Sequence, residues 1–196
     1  MRLSGSDSND TTTLEIFRGL VISARLKQWT KNLIVYFALF FTINDIWDPS
    51  DLPLALTMAA KTTLAFLVFC VLRSGIYLIN DICDAKSDQL HPRKKLRPIA
   101  SGKLPIHIAW LTALVFIIAS LSLSFYLNKP LMWVAIIYVT SSILYSLALR
   151  RIFLVDILSI SSGFVLRAVA GAVVLSAPIS PWLYACTGLG ALLLSI

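Results

Sequence analysis

The chain is 196 residues long, 58% hydrophobic and only 14% charged, with a formal net charge of +7 and a mean hydropathy of +0.82. Soluble domains carry about 45–50% apolar residues, so this composition excludes a single soluble domain and points to an integral membrane protein. Three cysteines, Cys70, Cys83 and Cys186, have neither pairing nor metal-ligand spacing, which argues against a disulfide framework and a zinc site.

Residues 1–13 are polar and contain no basic region leading into an apolar signal segment, so they read as an N-terminal tail. The membrane domain is expected to occupy 14–196. Leu14, Phe17 and Val21 fall on one helical face suited to the bilayer interface. Apolar runs approaching the roughly 20 residues needed to cross a bilayer follow at 29–43, 52–82, 106–127, 131–149, 152–175 and from 181 onward. These runs predict an all-α fold, a polytopic transmembrane helical bundle. The second run is longer than a bilayer requires and is expected to project its last turns out of the hydrocarbon. The last run reaches the end of the chain with no polar cap, as expected for a chain that stops inside a larger bundle.

Lys and Arg set the expected orientation. Arg18, Arg25, Lys27 and Lys31 precede the first run; Lys86, Arg93, Lys94, Lys95, Arg97 and Lys103 fill the connection after the second; Arg150 and Arg151 follow the fourth. The alternating connections carry Asp45, Asp48 and Asp51, then Lys129, then no charge between 175 and 181. This alternation predicts a cytosolic N-terminus and places the end of the second span at the cytosolic mouth of the bundle. Topology accounts for much of the positive charge, and no nucleic-acid partner is expected.

At that mouth Asn80, Asp81, Asp84 and Asp88 spell N-D-x-x-D-x-x-x-D. On a continuous helix, offsets of three and four residues place the carboxylates within roughly 60° of one another along about 10 Å. Three like charges on one face need a cation between them, and Mg²⁺, held by carboxylates and substrate phosphates, meets that need. Asp81, Asp84 and Asp88 are therefore the candidate metal-binding and catalytic residues of a diphosphate site. Acidic helix faces are usually solvated surface. Here the cluster continues an apolar helix and is followed within nine residues by Arg93, Lys94, Lys95 and Arg97, with Pro92 and Pro98 bracketing the run. The prolines restrict the loop and guanidinium suits bidentate phosphate contact, so Arg93 and Arg97 are the candidate phosphate ligands. Lys94 and Lys95 are weaker candidates, and His91 reads as a turn residue.

Ionisable residues inside spans usually face a polar cavity or the bundle interior. Arg73, three helical turns before Asp84, is expected on the same side and roughly 16 Å deeper, as a cavity-floor residue. Arg167 stands eleven residues after Asp156 and is either a substrate ligand or one half of an interhelical contact. Arg25, Lys31 and Asn32 are expected near one face of the first helix as further phosphate ligands, with Trp29 an interfacial anchor. Gly163, Ala168, Ala170, Gly171 and Ala172 are small residues that permit close helix approach.

Asn80-Asp81-x-x-Asp84-x-x-x-Asp88 and Arg97-Pro98-Ile99-Ala100-Ser101-Gly102 resemble the UbiA superfamily of intramembrane polyprenyl transferases. Arg25-x-x-Gln28-Trp29-x-Lys31-Asn32, Tyr145-Ser146-Leu147 and Ser162-Gly163-Phe164-x-Leu166-Arg167-x-x-x-Gly171 resemble its decaprenyl-phosphate phosphoribosyltransferase branch. The resemblance implies a nine-helix fold, of which about six helices are present here, with a cytosol-facing cavity, Mg²⁺ dependence and a second polar motif after the sixth helix. It also implies a polyprenyl lipid substrate and a diphosphate-bearing co-substrate. Asn80 and Tyr145 join the candidate substrate-binding residues through these motifs.

Two reactions fit the aspartates. In one, diphosphate leaves ribose C1 and a lipid phosphate attacks, as in cell-envelope glycolipid synthesis. In the other, diphosphate leaves an allylic carbon and an aromatic ring attacks, as in quinone synthesis. A transporter would place carboxylates near the midplane, whereas these lie at a span end beside a basic loop. An inactive fragment is the remaining alternative.

Overall fold

The computed structural model describes residues 7–146, 153–179 and 181–195. Helix α1 (Asp7–Ala24) is followed by a 3₁₀ segment (Leu26–Tyr36) and the short α2 (Phe37–Phe41). Then come α3 (Leu52–Cys83), α4 (Ala85–Gln89), a 3₁₀ turn (Lys94–Leu96), α5 (Ile106–Leu127), α6 (Lys129–Leu144), α7 (Phe153–Val174) and α8 (Pro181–Ser195). The fold is an all-α membrane fold. Among the described residues, three helices are long and apolar enough to cross a membrane: Leu52–Cys83, Ile106–Leu127 and the Ile157–Val174 portion of α7. Lys129–Leu144 is a shorter apolar helix. Leu147, Arg150 and Arg151 lie outside the described residues, as does the side chain of Asp156.

Local chemistry explains most helix starts. Asp51 caps α3 through its Oδ1, which accepts the Leu54 amide at 3.1 Å, and Pro53 sits in the first turn, where a missing N–H costs nothing. Pro105, Pro130 and Pro181 similarly mark the starts of α5, α6 and α8. Helix α1, described from Asp7, lies partly inside the stretch read as a polar tail and continues through the apolar periodicity from Leu14. The span expected at 29–43 is instead 3₁₀ for most of its length, ending in the single turn and a half of α2. Arg25, in the left-handed region at φ 53°, breaks the chain from α1 before that segment begins.

The chain divides into two compact units, and α3 and α5 each contribute one end to both. The first unit comprises residues 1–27 and 73–117. Its core contains Leu78, Ala85, Ile99, Leu104, Ala109 and Ala113, with Ile16 and Leu20 of α1 packed against it. Leu14, Phe17 and Val21 stay exposed, so α1 presents the apolar face expected from its sequence. The second unit comprises residues 28–72 and 118–196, with Phe69, Leu72, Leu131, Ala135 and Tyr138 fully buried. In this unit α7 meets the 3₁₀ segment at Gly171, where a Cβ would run into the Val35 carbonyl. The small-residue stretch of α7 thus serves the close approach its composition suggested.

Candidate active site

The site is built in the first unit, where α3 gives way to α4. Asp84, at φ −85° and ψ −5°, is the residue between α3 and α4. Its backbone remains bonded: the Asp84 amide donates to the Asn80 carbonyl at 2.9 Å, and the Asp88 amide donates to the Asp84 carbonyl at 2.8 Å. Asp81 and Asp88, seven residues apart, lie within roughly 20° of each other around a helix, whereas Asp84 is about 60° round from Asp81, and the expected convergence of all three carboxylates is not observed. Among the described residues, no group of three His, Cys, Asp or Glu side chains is arranged to hold an ion. What converges is the pair Asp81 and Asp88.

Arg97 joins that pair. Its Nη1 donates to Asp88 Oδ2 at 2.6 Å and to Asp81 Oδ1 at 3.3 Å. Arg25 Nη2 donates to the same Asp81 oxygen at 2.6 Å. The carboxylate side chains are only 4% and 3% exposed, while Arg97 and Arg25 are 27% and 33% exposed. Two buried anions therefore lie behind two half-exposed guanidiniums, with positive charge facing the opening. The loop that delivers Arg97 is fixed by the Leu104 amide donating to the Pro98 carbonyl at 2.9 Å. Gly102, at φ +78°, turns that loop through a conformation that favours glycine.

A cavity of about 300 Å³ opens beside these residues, lined by Arg25, Asp81, Arg93 and Arg97, by Ser23, and by the apolar Ile22, Leu96 and Pro98. Its size is at the lower end of the range for small-molecule sites. Ser23 Oγ, on the cavity wall, is buried without a partner, and so is Asn80 Oδ1, one residue before Asp81 in the chain. Buried polar atoms are normally satisfied, so these are groups a ligand can complete. Ser23 escaped the reading of the sequence because an isolated serine at the end of an amphipathic helix carries no motif. Tyr77 also escaped it; Arg25 lies 4.6 Å and Arg73 4.5 Å from its ring centroid, so one aromatic ring orients two guanidiniums.

The remaining expected residues are dispersed. Arg73 packs on Tyr77 and does not line the cavity, because its helix register directs it to that ring. His91 is a turn residue, its Nδ1 accepting the Arg93 and Lys94 amides. Lys31, Asn32, Tyr145 and Arg167 belong to the second unit. Lys31 is exposed and Asn32 is 1% exposed, so the shared face expected for them is absent. The 3₁₀ winding, about three residues per turn, separates these neighbours by roughly 120°, and the break at Arg25 removes that residue from their register. Tyr145 is half-buried in a short π turn. Arg167 is 5% exposed and donates to the Tyr138 hydroxyl at 2.9 Å.

Hard oxygen donors suit Mg²⁺, which is usually held by one or two carboxylates together with substrate phosphates. Asp81 and Asp88 supply two carboxylates close enough to share one guanidinium nitrogen, and Asn80 adds an unsatisfied amide oxygen. The donor set fits a Mg²⁺ shared with a ligand and does not form an all-protein cage.

The UbiA prenyltransferase family model matches residues 35–196. The chain belongs to the UbiA prenyltransferase family. Among UbiA relatives, decaprenyl-phosphate phosphoribosyltransferase of Mycolicibacterium smegmatis is 37% identical over 179 residues, covering 90% of this chain and 54% of the relative. The Mycobacterium tuberculosis enzyme of the same name is 32% identical, covering 89% of this chain and 56% of its own length. The chain thus spans about half the length of these relatives. A UbiA homologue from Archaeoglobus fulgidus, solved bound to DMAPP and Mg²⁺, matches with a TM-score of 0.67 at 19% identity, over 93% of this chain and 61% of that one. At that identity the likeness establishes the fold.

Proposed function

We propose that this UbiA-family chain carries the donor-diphosphate site of a Mg²⁺-dependent membrane transferase that moves a phosphoribosyl group from phosphoribosyl diphosphate to a polyprenyl phosphate. One observation carries the site: two buried carboxylates held by two half-exposed arginines beside a cavity walled in part by the unsatisfied Ser23 hydroxyl. The likeness to decaprenyl-phosphate phosphoribosyltransferases over nine-tenths of the chain supports this branch.

In this reading Asp81 and Asp88, with Asn80, would hold Mg²⁺, and Asp84 is a further carboxylate between α3 and α4. Bound Mg²⁺ supplies charge neutralisation for the departing diphosphate. Arg25 and Arg97 turn their exposed faces to the phosphates and stabilise negative charge developing on the leaving group, with Arg93 at the cavity edge. Ser23 donates its hydroxyl to a phosphate oxygen. The aspartates act as ligands and not as bases. Bond breaking at ribose C1 releases diphosphate, and an oxygen of the lipid phosphate forms the new bond. Tyr77 keeps Arg25 oriented for this work. The Lys and Arg distribution supports a cytosolic N-terminus and a cytosol-facing site.

The experiment is incubation of membranes containing the full-length protein with phosphoribosyl diphosphate, polyprenyl phosphate and Mg²⁺. Lipid-linked phosphoribose is expected; its absence, with prenylation of an aromatic acceptor in its place, would transfer the site to the aromatic branch. That second reading has support in the allylic diphosphate bound to the Archaeoglobus homologue, since an allylic diphosphate needs the same carboxylates and arginines.

A further inference from the structure

The second unit contains a buried cation that no described carboxylate pairs. Arg167 sits within the membrane-spanning part of α7 and is 5% exposed. Its Nη2 donates to the Tyr138 hydroxyl at 2.9 Å, while Nε and Nη1 have no partner. Guanidinium does not shed its proton in proteins, so the charge cannot be avoided by titration. A buried charge of this kind is strongly unfavourable unless an anion meets it. The rings of Tyr138 and Phe164, 5.2 and 5.1 Å from the guanidinium carbon, orient it and soften the charge without satisfying the N–H groups.

The surroundings are built for something more. Gly163, one turn before Arg167, opens a notch: a Cβ there would sit 3.8 and 3.9 Å from Arg167 Nη2 and Nη1, and 3.8 Å from the Tyr138 ring. Gly163 is half-exposed and Ser162 beside it is exposed, so the notch is reached from outside the unit. In the same unit Asn32 Nδ2 donates to Cys70 Sγ at 3.2 Å. Asn32 Oδ1, in turn, is buried without a partner. Two buried groups of this unit, Arg167 and Asn32, thus keep hydrogen-bonding capacity that the protein itself does not use.

We propose that the Arg167 notch binds a single phosphate monoester, the headgroup of the lipid acceptor. The proposal rests on the phosphoribosyl-transfer reading for the identity of that lipid. One guanidinium and one tyrosine match one phosphoryl group, whereas the diphosphate site commands two arginines and two carboxylates. Leu158 and Ile160, exposed apolar residues on the same helix, give an isoprenoid chain a surface to follow.

The test uses the full-length protein in nanodiscs, with polyprenyl phosphate, the neutral polyprenol of equal length, and inorganic phosphate as competitor. Charge-assisted contacts should make polyprenyl phosphate bind about tenfold or more tightly than polyprenol. Arg167→Met should erase that preference. Gly163→Ala adds a methyl group at ordinary contact distances, so it should fold and narrow the preference. Competition by inorganic phosphate would assign the notch to phosphate in general, and resistance to competition would assign it to lipid-linked phosphate; both support the site. Equal binding of the two lipids by the unaltered protein, or an unchanged preference in Arg167→Met or Gly163→Ala, would overturn it. Mg²⁺-dependent binding of phosphoribosyl diphosphate, measured in parallel and expected to persist in both variants, reports separately on the donor site.

Discussion

Replacing Arg97 with Met removes a group that touches both buried carboxylates. Asp81 keeps Arg25 at 2.6 Å, so the loss falls on Asp88, whose side chain is 3% exposed. Removing one partner of a fully buried pair costs about 3–5 kcal/mol. Because Arg97 is 27% exposed, water already screens part of that interaction, which brings the cost to about 2–3 kcal/mol. At 1.36 kcal/mol per decade this is a roughly 30- to 150-fold rise in local opening of α4. Hydrogen exchange at the Asp88 and His91 amides, which bond to the Asp84 and Asp88 carbonyls, reads that opening directly. Mg²⁺ should restore more protection in Arg97→Met than in the unaltered protein, since a competing cation is gone. Exchange within about twofold of the unaltered protein, or indifference to Mg²⁺ in the variant, would show that the bridge neither holds α4 nor marks a cation site.

Asp81→Asn should weaken Mg²⁺-dependent diphosphate binding about a hundredfold while leaving membrane insertion intact, checked by calorimetry on the purified protein. Ser23→Ala removes a buried hydroxyl that has no partner in the protein; stability should hold or rise slightly, while diphosphate affinity falls about three- to tenfold. Loss of stability without loss of affinity would assign Ser23 to packing. Gly171→Ala should reduce folded yield sharply, because the new methyl meets the Val35 backbone carbonyl and a destabilisation of about 1–3 kcal/mol follows from overpacking. Gly163→Ala on the same helix provides the contrast, since its methyl makes only ordinary contacts.

The positions of α3, α5 and the membrane portion of α7 were legible along the chain because apolar length is a local property that bilayer thickness turns into a helix. The acidic cluster and the basic loop were legible for the same reason: charges at helical spacing beside an apolar run are written locally. The 3₁₀ segment was not, since an apolar run of 29–43 has the same composition whether it winds as α or 3₁₀. Nor was the sharing of Arg97 by Asp81 and Asp88, which a loop nine to sixteen residues further on decides.

Composition and charge order therefore determined the membrane class, the all-helical fold and the neighbourhood of the candidate site. Tertiary structure alone decided the partners: that Arg25 reaches Asp81 across 56 residues, that Arg97 and not Arg93 bridges the carboxylates, that Arg73 rests on Tyr77, and that Arg167 is buried beside a notch. A charge, its sign and its nearest sequence neighbours are written locally, but whether it meets a counter-charge depends on close packing between segments distant in the chain.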